Sequence, residues 1–355
     1  MFKTAFALVI LAMTVPVSAA TYVYVSLGGE SAIAVYEQNA KDGSLTLVDR
    51  TALPGGPGSL ALAPSHRFLY ASVRSKAQAA TLGIDKATGK LTLLGSTPVL
   101  ADPAYLFVDP RDRFLLASYY SAGKVAVFPI REDGIVGENP THVIDGHDKP
   151  HSVQVDRADA FAYVPNTGAD KIYQFAFDSA EGKFAPLDPP LVMSPQQSGP
   201  RHFWFHPKLD KVYFVNESGG SITVCDRSRE TGKLLVGATV PTLPAGFSGK
   251  NACAHIEITP SGHFLYASNR GHDSLAMFSI DKETGALTSL GHVPTEAAPR
   301  AFAIDPKGEF VHAAGQTSGK LVSYRIDSAS GKLETLKTIE VGKSPAWITI
   351  VEFGK

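Results

Sequence analysis

Apolar and polar residues alternate in short runs along almost the whole chain, and the runs themselves repeat. One phrase is a proline, an alternating apolar stretch, a Pro- or Asp-containing turn, then Phe-Leu-Tyr-Ala or a variant. It runs from Pro57 to Pro64 with Phe68-Leu69-Tyr70, and from Pro103 to Pro110 with Phe114-Leu115-Leu116. It returns at Pro150 with Phe161-Ala162-Tyr163, at Pro200 with Val212-Tyr213, and at Cys253 with Phe264-Leu265-Tyr266. Pro299 with Phe310-Val311-His312 follows, and a last copy starting at Pro345 stops after its first strand. Successive anchors lie 46, 47, 50, 53, 46 and 46 residues apart. Self-similarity at this period is the mark of a repeat architecture.

A second phrase follows each copy, as in Ile84-Asp-Lys-Ala-Thr-Gly89, Ile280-Asp-Lys-Glu-Thr-Gly285 and Ile326-Asp-Ser-Ala-Ser-Gly331. Asp-x-x-x-Gly between apolar runs is hairpin chemistry, because Gly supplies the positive φ of the turn. Each unit then holds four antiparallel strands, a to d, which predicts propeller blades. The first piece, Tyr22 to Ser26, matches strand b and is followed by c (Ile33 to Tyr36) and d (Leu45 to Asp49). Ser344 to Val351 supplies a strand a without b, c or d. The expectation is an all-β, seven-bladed propeller over 21–355, closed by its two ends sharing one blade. Closure hides sheet edges that would otherwise pair with other chains. The longest irregular connections are expected at Asp133 to Lys149, Pro186 to Gly199 and Leu243 to Asn251.

Residues 1–20 break the pattern. Lys3 precedes an apolar run from Ala5 to Val15, and Val17-Ser18-Ala19-Ala20 ends in small residues. This predicts a secretory signal peptide cut near Ala19 or Ala20, and a periplasmic or secreted protein. The run is short of the roughly 18 to 20 residues that span a bilayer. A net charge of -1 gives no reason to expect nucleic acid or an anionic membrane as partner, and no obligate protein partner is evident. Cys225 and Cys253 fall on different blades, so two buried free thiols are expected rather than a disulfide.

Antiparallel order puts the d-to-a and b-to-c loops on one face, and that face departs from the repeat. The residue after the anchor is Gly58, Ala104, Ala254 or Ala346 in four blades, but His151, Arg201 and Arg300 in the other three. The end of strand b reads Arg74, Tyr120, Thr167, Glu217, Arg270, Gln316 and Gly28, and His202 and His255 stand one residue further along strand a. Ionisable groups at some repeats and small ones at others suggest a site grafted on a scaffold. The plain alternative is polar groups satisfying one another around a wet channel. The opposite face, with turns such as Pro110-Arg-Asp-Arg, reads as purely structural. No Gly-x-Ser-x-Gly or Cys-x-x-Cys occurs, and the His-x-x-x-His spacings of His147 with His151 and of His202 with His206 are not read as metal ligands, so neither a serine nucleophile nor a zinc site is signalled. A carboxylate, an imidazole and several guanidiniums suit water activation by a base with an arginine-stabilised oxyanion. A lactone needs only such modest help, because it is an activated ester with a tethered leaving group.

Lys149-Pro150-His151-Ser152, Gly199-Pro200-Arg201-His202 with His206-Pro207, Val215-Asn216-Glu217, Asn269-Arg270 and Pro299-Arg300 resemble the lactonase propeller family. That family includes bacterial 6-phosphogluconolactonases and the fungal 3-carboxy-cis,cis-muconate lactonising enzyme. The resemblance covers the whole mature chain. It implies a catalytic set of His151, Arg201, Glu217 and Arg270 with no metal required; no cofactor is expected, and the other polar residues of this face, Arg74, Tyr120, His202, His255, Arg300 and Gln316, are expected to contact the substrate. Glu217 is expected to activate water and His151 to protonate the leaving oxygen, or the reverse. The leader departs from these cytosolic relatives, so an exported lactonase acting on an unphosphorylated sugar lactone such as glucono-1,5-lactone is expected. A 6-phosphogluconolactonase, a non-catalytic binding propeller and a metal-dependent lactonase of the regucalcin type are the alternatives.

Overall fold

The computed structural model describes residues 20–354; the leader expected at the N-terminus, apart from Ala20, lies outside the described residues. Seven four-stranded antiparallel sheets stand in a ring, each in the order a-b-c-d from the channel outwards. In the fifth blade these strands are Pro200–Phe205, Lys211–Asn216, Ser221–Arg227 and Leu234–Pro241. The closing blade is shared as expected: Pro345–Phe353 pairs with Ala20–Leu27, followed by Ala32–Gln38 and Leu45–Ala52.

Two expected irregular segments carry strands. His142–Ile144 is the outer strand of the third blade, and Lys183–Met193 is that of the fourth. Pro186, Pro189 and Pro190 lie in the latter, and they are tolerated because an outermost strand has one side with no ladder to donate to. Leu243 to Asn251 is irregular as read.

The two repeating phrases turn out to be two halves of one contact between neighbouring blades. The strand-b tyrosine of one blade donates its hydroxyl to the carbonyl of the turn glycine in the next. Tyr24 reaches Gly89 at 3.0 Å, Tyr70 Gly134 at 2.8 Å, Tyr163 Gly232 at 2.6 Å, Tyr213 Gly285 at 2.8 Å and Tyr266 Gly331 at 2.9 Å. In four of these five the aromatic two residues earlier covers the same glycine, and at Gly285 the Lys211 side chain takes its place. At Gly331 φ is +70°, and a Cβ would stand 2.1 Å from the Phe264 ring, so only glycine fits. Leu116 cannot donate, and Thr141 makes the bond to Gly182 instead, at 2.8 Å. Where the ring closes, His312 replaces the tyrosine and meets Gln38 at 2.8 Å. Burial pushes these tyrosine pKa values up, so the hydroxyls stay protonated donors.

Cys225 and Cys253 are free and buried, and burial raises their thiol pKa values to about 12 and about 11. No helix among the described residues is long and apolar enough to cross a membrane.

Candidate active site

The inner strands do not start regularly. Pairing of strand a with strand b slips between Pro57 and Leu60, Pro200 and His202, Cys253 and Ile256, and Pro299 and Ala301. A bulge adds a residue at the mouth and re-aims its side chain. It breaks the strict in-out alternation, so consecutive residues Arg201 and His202 are both buried at the channel. Ser152, after His151, turns away and donates to the Arg201 carbonyl at 2.8 Å.

Glu217 is clamped by its backbone, donating to Gly199 at 2.7 Å and accepting from Cys253 at 3.0 Å. Its Oε1 accepts from Arg270 Nη2 at 2.6 Å, and its Oε2 lies 3.4 Å from Arg201 Nε. Arg270 is braced in turn by the carbonyls of Ala252 (3.1 Å) and Cys253 (3.3 Å). Arg201 is 1% exposed and donates Nη1 to the Ala254 carbonyl. Burial, then Arg270 and Arg300, press the Arg201 pKa well down, while Glu217 pushes it back up. A guanidinium nevertheless keeps its proton inside proteins. Arg201 Nε and Glu217 Oε2 are both left without a hydrogen bond, so this ion pair is held close but unsatisfied.

His151 is fixed through its backbone, to Pro165 at 3.1 Å and Ser118 at 2.9 Å, while its ring Nδ1 has no partner. Its ring stands 5.4 Å from that of Tyr120 and 5.0 Å from that of His202. Burial and then the charges of Arg201, Arg300 and Arg270 hold its pKa well below 6.5, so the imidazole is neutral at neutral pH.

A cavity of about 310 Å³ opens at this mouth, walled by Gly56, Gly58, Ala104 and Ala346 on its small-residue side. Arg74, Arg201, His202, Arg300 and Gln316 also line it. Glu217, Arg270, His151 and Tyr120 are outside the lining and join it through Arg201 and His202. Arg74 is paired with Asp102 at 2.6 Å, a partner the sequence reading passed over. Arg300 makes no ion pair among the described residues, and burial, then Arg270 and Arg74, lowers its pKa to about 10. Three guanidiniums thus face one carboxylate, leaving the mouth electropositive.

The floor is aromatic. Trp347 stands 5.4 Å from Tyr105, 5.6 Å from His202 and 5.2 Å from His255, ring to ring. Below it lies a second, larger and mainly apolar cavity of about 580 Å³, opening on the face that had been read as purely structural. The sequence missed it because its walls are the ordinary apolar residues of strand a. His255 lines that lower cavity, not the upper one, and Trp347 alone lines both. Among the described residues no group of three His, Cys, Asp or Glu side chains is arranged to hold a metal ion.

Residues 19–350 match the family model of the lactonase seven-bladed β-propeller. The chain is 36% identical over 329 residues to a 6-phosphogluconolactonase of Pectobacterium carotovorum, covering 93% of this chain and 98% of that one. A 6-phosphogluconolactonase of Yersinia pseudotuberculosis is 35% identical over 92% of this chain and 97% of its own. Among solved structures, the periplasmic gluconolactonase of Pseudomonas aeruginosa is similar with a TM-score of 0.87 and 28% identity, over 94% of this chain and 99% of that one. With its ring of seven blades and a match along nearly its whole length, the chain belongs to the lactonase seven-bladed β-propeller family.

Proposed function

We propose that this protein hydrolyses a sugar lactone in the upper cavity. The observation that carries the reading is Glu217 held between Arg201 and Arg270, with a neutral His151 that feels the same two arginines, at a mouth with excess positive charge. Ring opening turns a neutral ester into a carboxylate, and that charge develops where the guanidiniums converge. Similarity to lactone-hydrolysing relatives along most of the chain supports the same reaction.

The geometry favours one division of labour between Glu217 and His151. Glu217 already faces two guanidiniums, so its carboxylate serves as a brace for both arginines. His151 is neutral, with an unpartnered nitrogen, and suits proton abstraction from water. The imidazolium so formed returns the proton to the ring oxygen as the C–O bond breaks. Arg201 and Arg270 stabilise the tetrahedral oxyanion. His202, Arg74, Arg300 and Gln316, which line the cavity, hold the substrate, Arg74 with its charge balanced by Asp102.

The leader-like N-terminus and the periplasmic gluconolactonase similar to this chain support export and an unphosphorylated aldonolactone. Arg300, a cavity guanidinium without a carboxylate partner, supports the second reading, a lactone carrying a phosphate. Purified mature protein assayed on glucono-1,5-lactone, its 6-phosphate and unsubstituted δ-valerolactone, with and without chelator, separates these. Turnover of the first with chelator present is expected. No turnover of any lactone removes the enzymatic reading.

A further inference from the structure

A chain of hydrogen-bonded side chains crosses the channel floor. Glu257 belongs to the lower cavity; its Oε2 accepts from the Ile304 N–H at 2.8 Å and its Oε1 lies 3.1 Å from His255 Nε2. His255 Nδ1 lies 2.9 Å from Nδ1 of His202, which lines the upper cavity. All three residues are buried.

The proton positions along this chain follow from one end. A carboxylate offers only lone pairs, so His255 Nε2 carries the proton and donates. In a neutral His255, Nδ1 is then the acceptor, so His202 Nδ1 carries a proton and donates to it. A neutral His202 keeps its remaining lone pair on Nε2, on the side of the ring away from His255.

Burial first, and then the charge of Arg201, keep that ring neutral. Arg201 Nη1 lies 3.4 Å from His202 Nδ1 and 3.2 Å from Nε2, nearly equidistant from both. A donor on either lone-pair axis would be much nearer one nitrogen, so this guanidinium N–H is aimed along neither lone pair. A cation there repels a second proton on the imidazole. His151, His255 and Arg300 act in the same direction.

We propose that His202 Nε2 is an acceptor-only contact for a hydroxyl group of the substrate, and that Glu257, across the floor, is the positioning residue that fixes it so through His255. This rests on the lactonase reading and sharpens it: the substrate class is a hydroxylated lactone that donates a hydrogen bond at the cavity base. Neither an unsubstituted lactone nor one bearing an ether at that position supplies the donor.

The test has two arms on the full mature chain. Histidine-selective ¹⁵N NMR at pH 7 reads the tautomers directly and needs neither substrate nor variant. The expected result is His202 protonated on Nδ1 and bare on Nε2, with His255 the reverse. A proton on His202 Nε2 overturns the proposal, whatever the protein's activity. In Glu257→Gln the amide can offer oxygen to only one of its two donors. Keeping the Ile304 bond turns NH₂ toward His255, which reverses both tautomers. The kinetic arm compares glucono-1,5-lactone with δ-valerolactone. Glu257→Gln is expected to lower kcat/KM about tenfold on the hydroxylated lactone, the cost of one lost hydrogen bond, and less than twofold on the other. Equal losses on both, or unchanged tautomers in the variant, overturn the proposal. Absence of turnover on every lactone in the wild type, with the expected NMR result, overturns the lactonase reading and the substrate half of the proposal, and leaves the tautomer assignment standing.

Discussion

The belt of blade-to-blade contacts and the upper channel mouth are built on the same strands and obey opposite rules. In the belt, five tyrosines bond five turn glycines in the same way, and Thr141 and His312 complete the ring by other chemistry. At the mouth, equivalent positions hold Gly58, Ala104, His151, Arg201, Ala254, Arg300 and Ala346. Repetition marks what every blade needs in order to stand beside its neighbour. Departure from repetition marks what the molecule needs once. Changes in the belt should therefore cost stability without touching turnover, and changes at the mouth the reverse.

The hardest break is at the junction of the termini. Removing residues 344–355 deletes the inner strand that pairs with Ala20–Leu27. Its loss should exceed the roughly 5 to 15 kcal/mol that holds a domain together. The expected outcome is no cooperative melting transition; a truncated chain that melts like the parent overturns ring closure as the basis of stability.

Next come the mouth residues. His151→Gln should lower kcat about 100- to 10,000-fold, and Arg201→Lys or Arg270→Lys about 100- to 1000-fold. Glu217→Gln should also remove most turnover, because it releases both arginines at once. Melting temperatures within a few degrees of the parent are the control. A folded Glu217→Gln or His151→Gln enzyme with unchanged kcat removes that residue from the mechanism. The pH profile sharpens the assignment of the base. With its pKa held well below 6.5, His151 stays unprotonated through neutrality. Activity, corrected for spontaneous hydrolysis, should be flat down to pH 6.5 and fall only in more acid solution; an acid limb centred at or above 6.5 argues against His151.

The belt predicts a smaller, purely structural effect with its own pH signature. Burial lowers the His312 pKa to about 3, against about 6.5 in the unfolded chain. Between these values the unfolded state binds a proton that the folded state refuses. Stability should therefore fall as pH drops below 6.5, by about 1.4 kcal/mol per pH unit from this group, levelling off near 3. Melting curves of the parent and His312→Gln across that window read the difference as a flatter slope in the variant. Tyr266→Phe removes one belt bond and should cost about 1 kcal/mol with kcat unchanged. The smallest expected effect is at Arg74→Ala. Asp102 already balances its charge, so KM should rise a few-fold and kcat hold.

The fold was legible because the belt repeats. A proline anchor, a Phe-x-Tyr and an Asp-x-x-x-Gly turn recur with enough regularity to count blades and to show that the ends share one. The two outer strands that were missed, His142–Ile144 and Lys183–Met193, lack that signal, being short or proline-rich at a solvent edge. At the mouth, the sequence grouped Arg201, Glu217 and Arg270, and in the structure Glu217 forms ion pairs with both arginines. It could not show that Arg74 is neutralised or that His255 faces the other cavity. Both depend on bulges and on loop partners such as Asp102, which alternation does not encode. The link from Glu257 to His202 was invisible for the same reason, since it joins two blades through side chains that no local spacing connects.

The aromatic floor at Trp347 has a consequence for traffic. The rings packed on Trp347 stand between the upper cavity and the lower one, so the ring-opened acid is expected to leave by the mouth through which the lactone came in. Its carboxylate is born among guanidiniums that favour keeping it. Departure of the acid, rather than bond breaking, is then the natural bottleneck of the cycle, and accumulated acid should compete directly with fresh lactone for the empty enzyme.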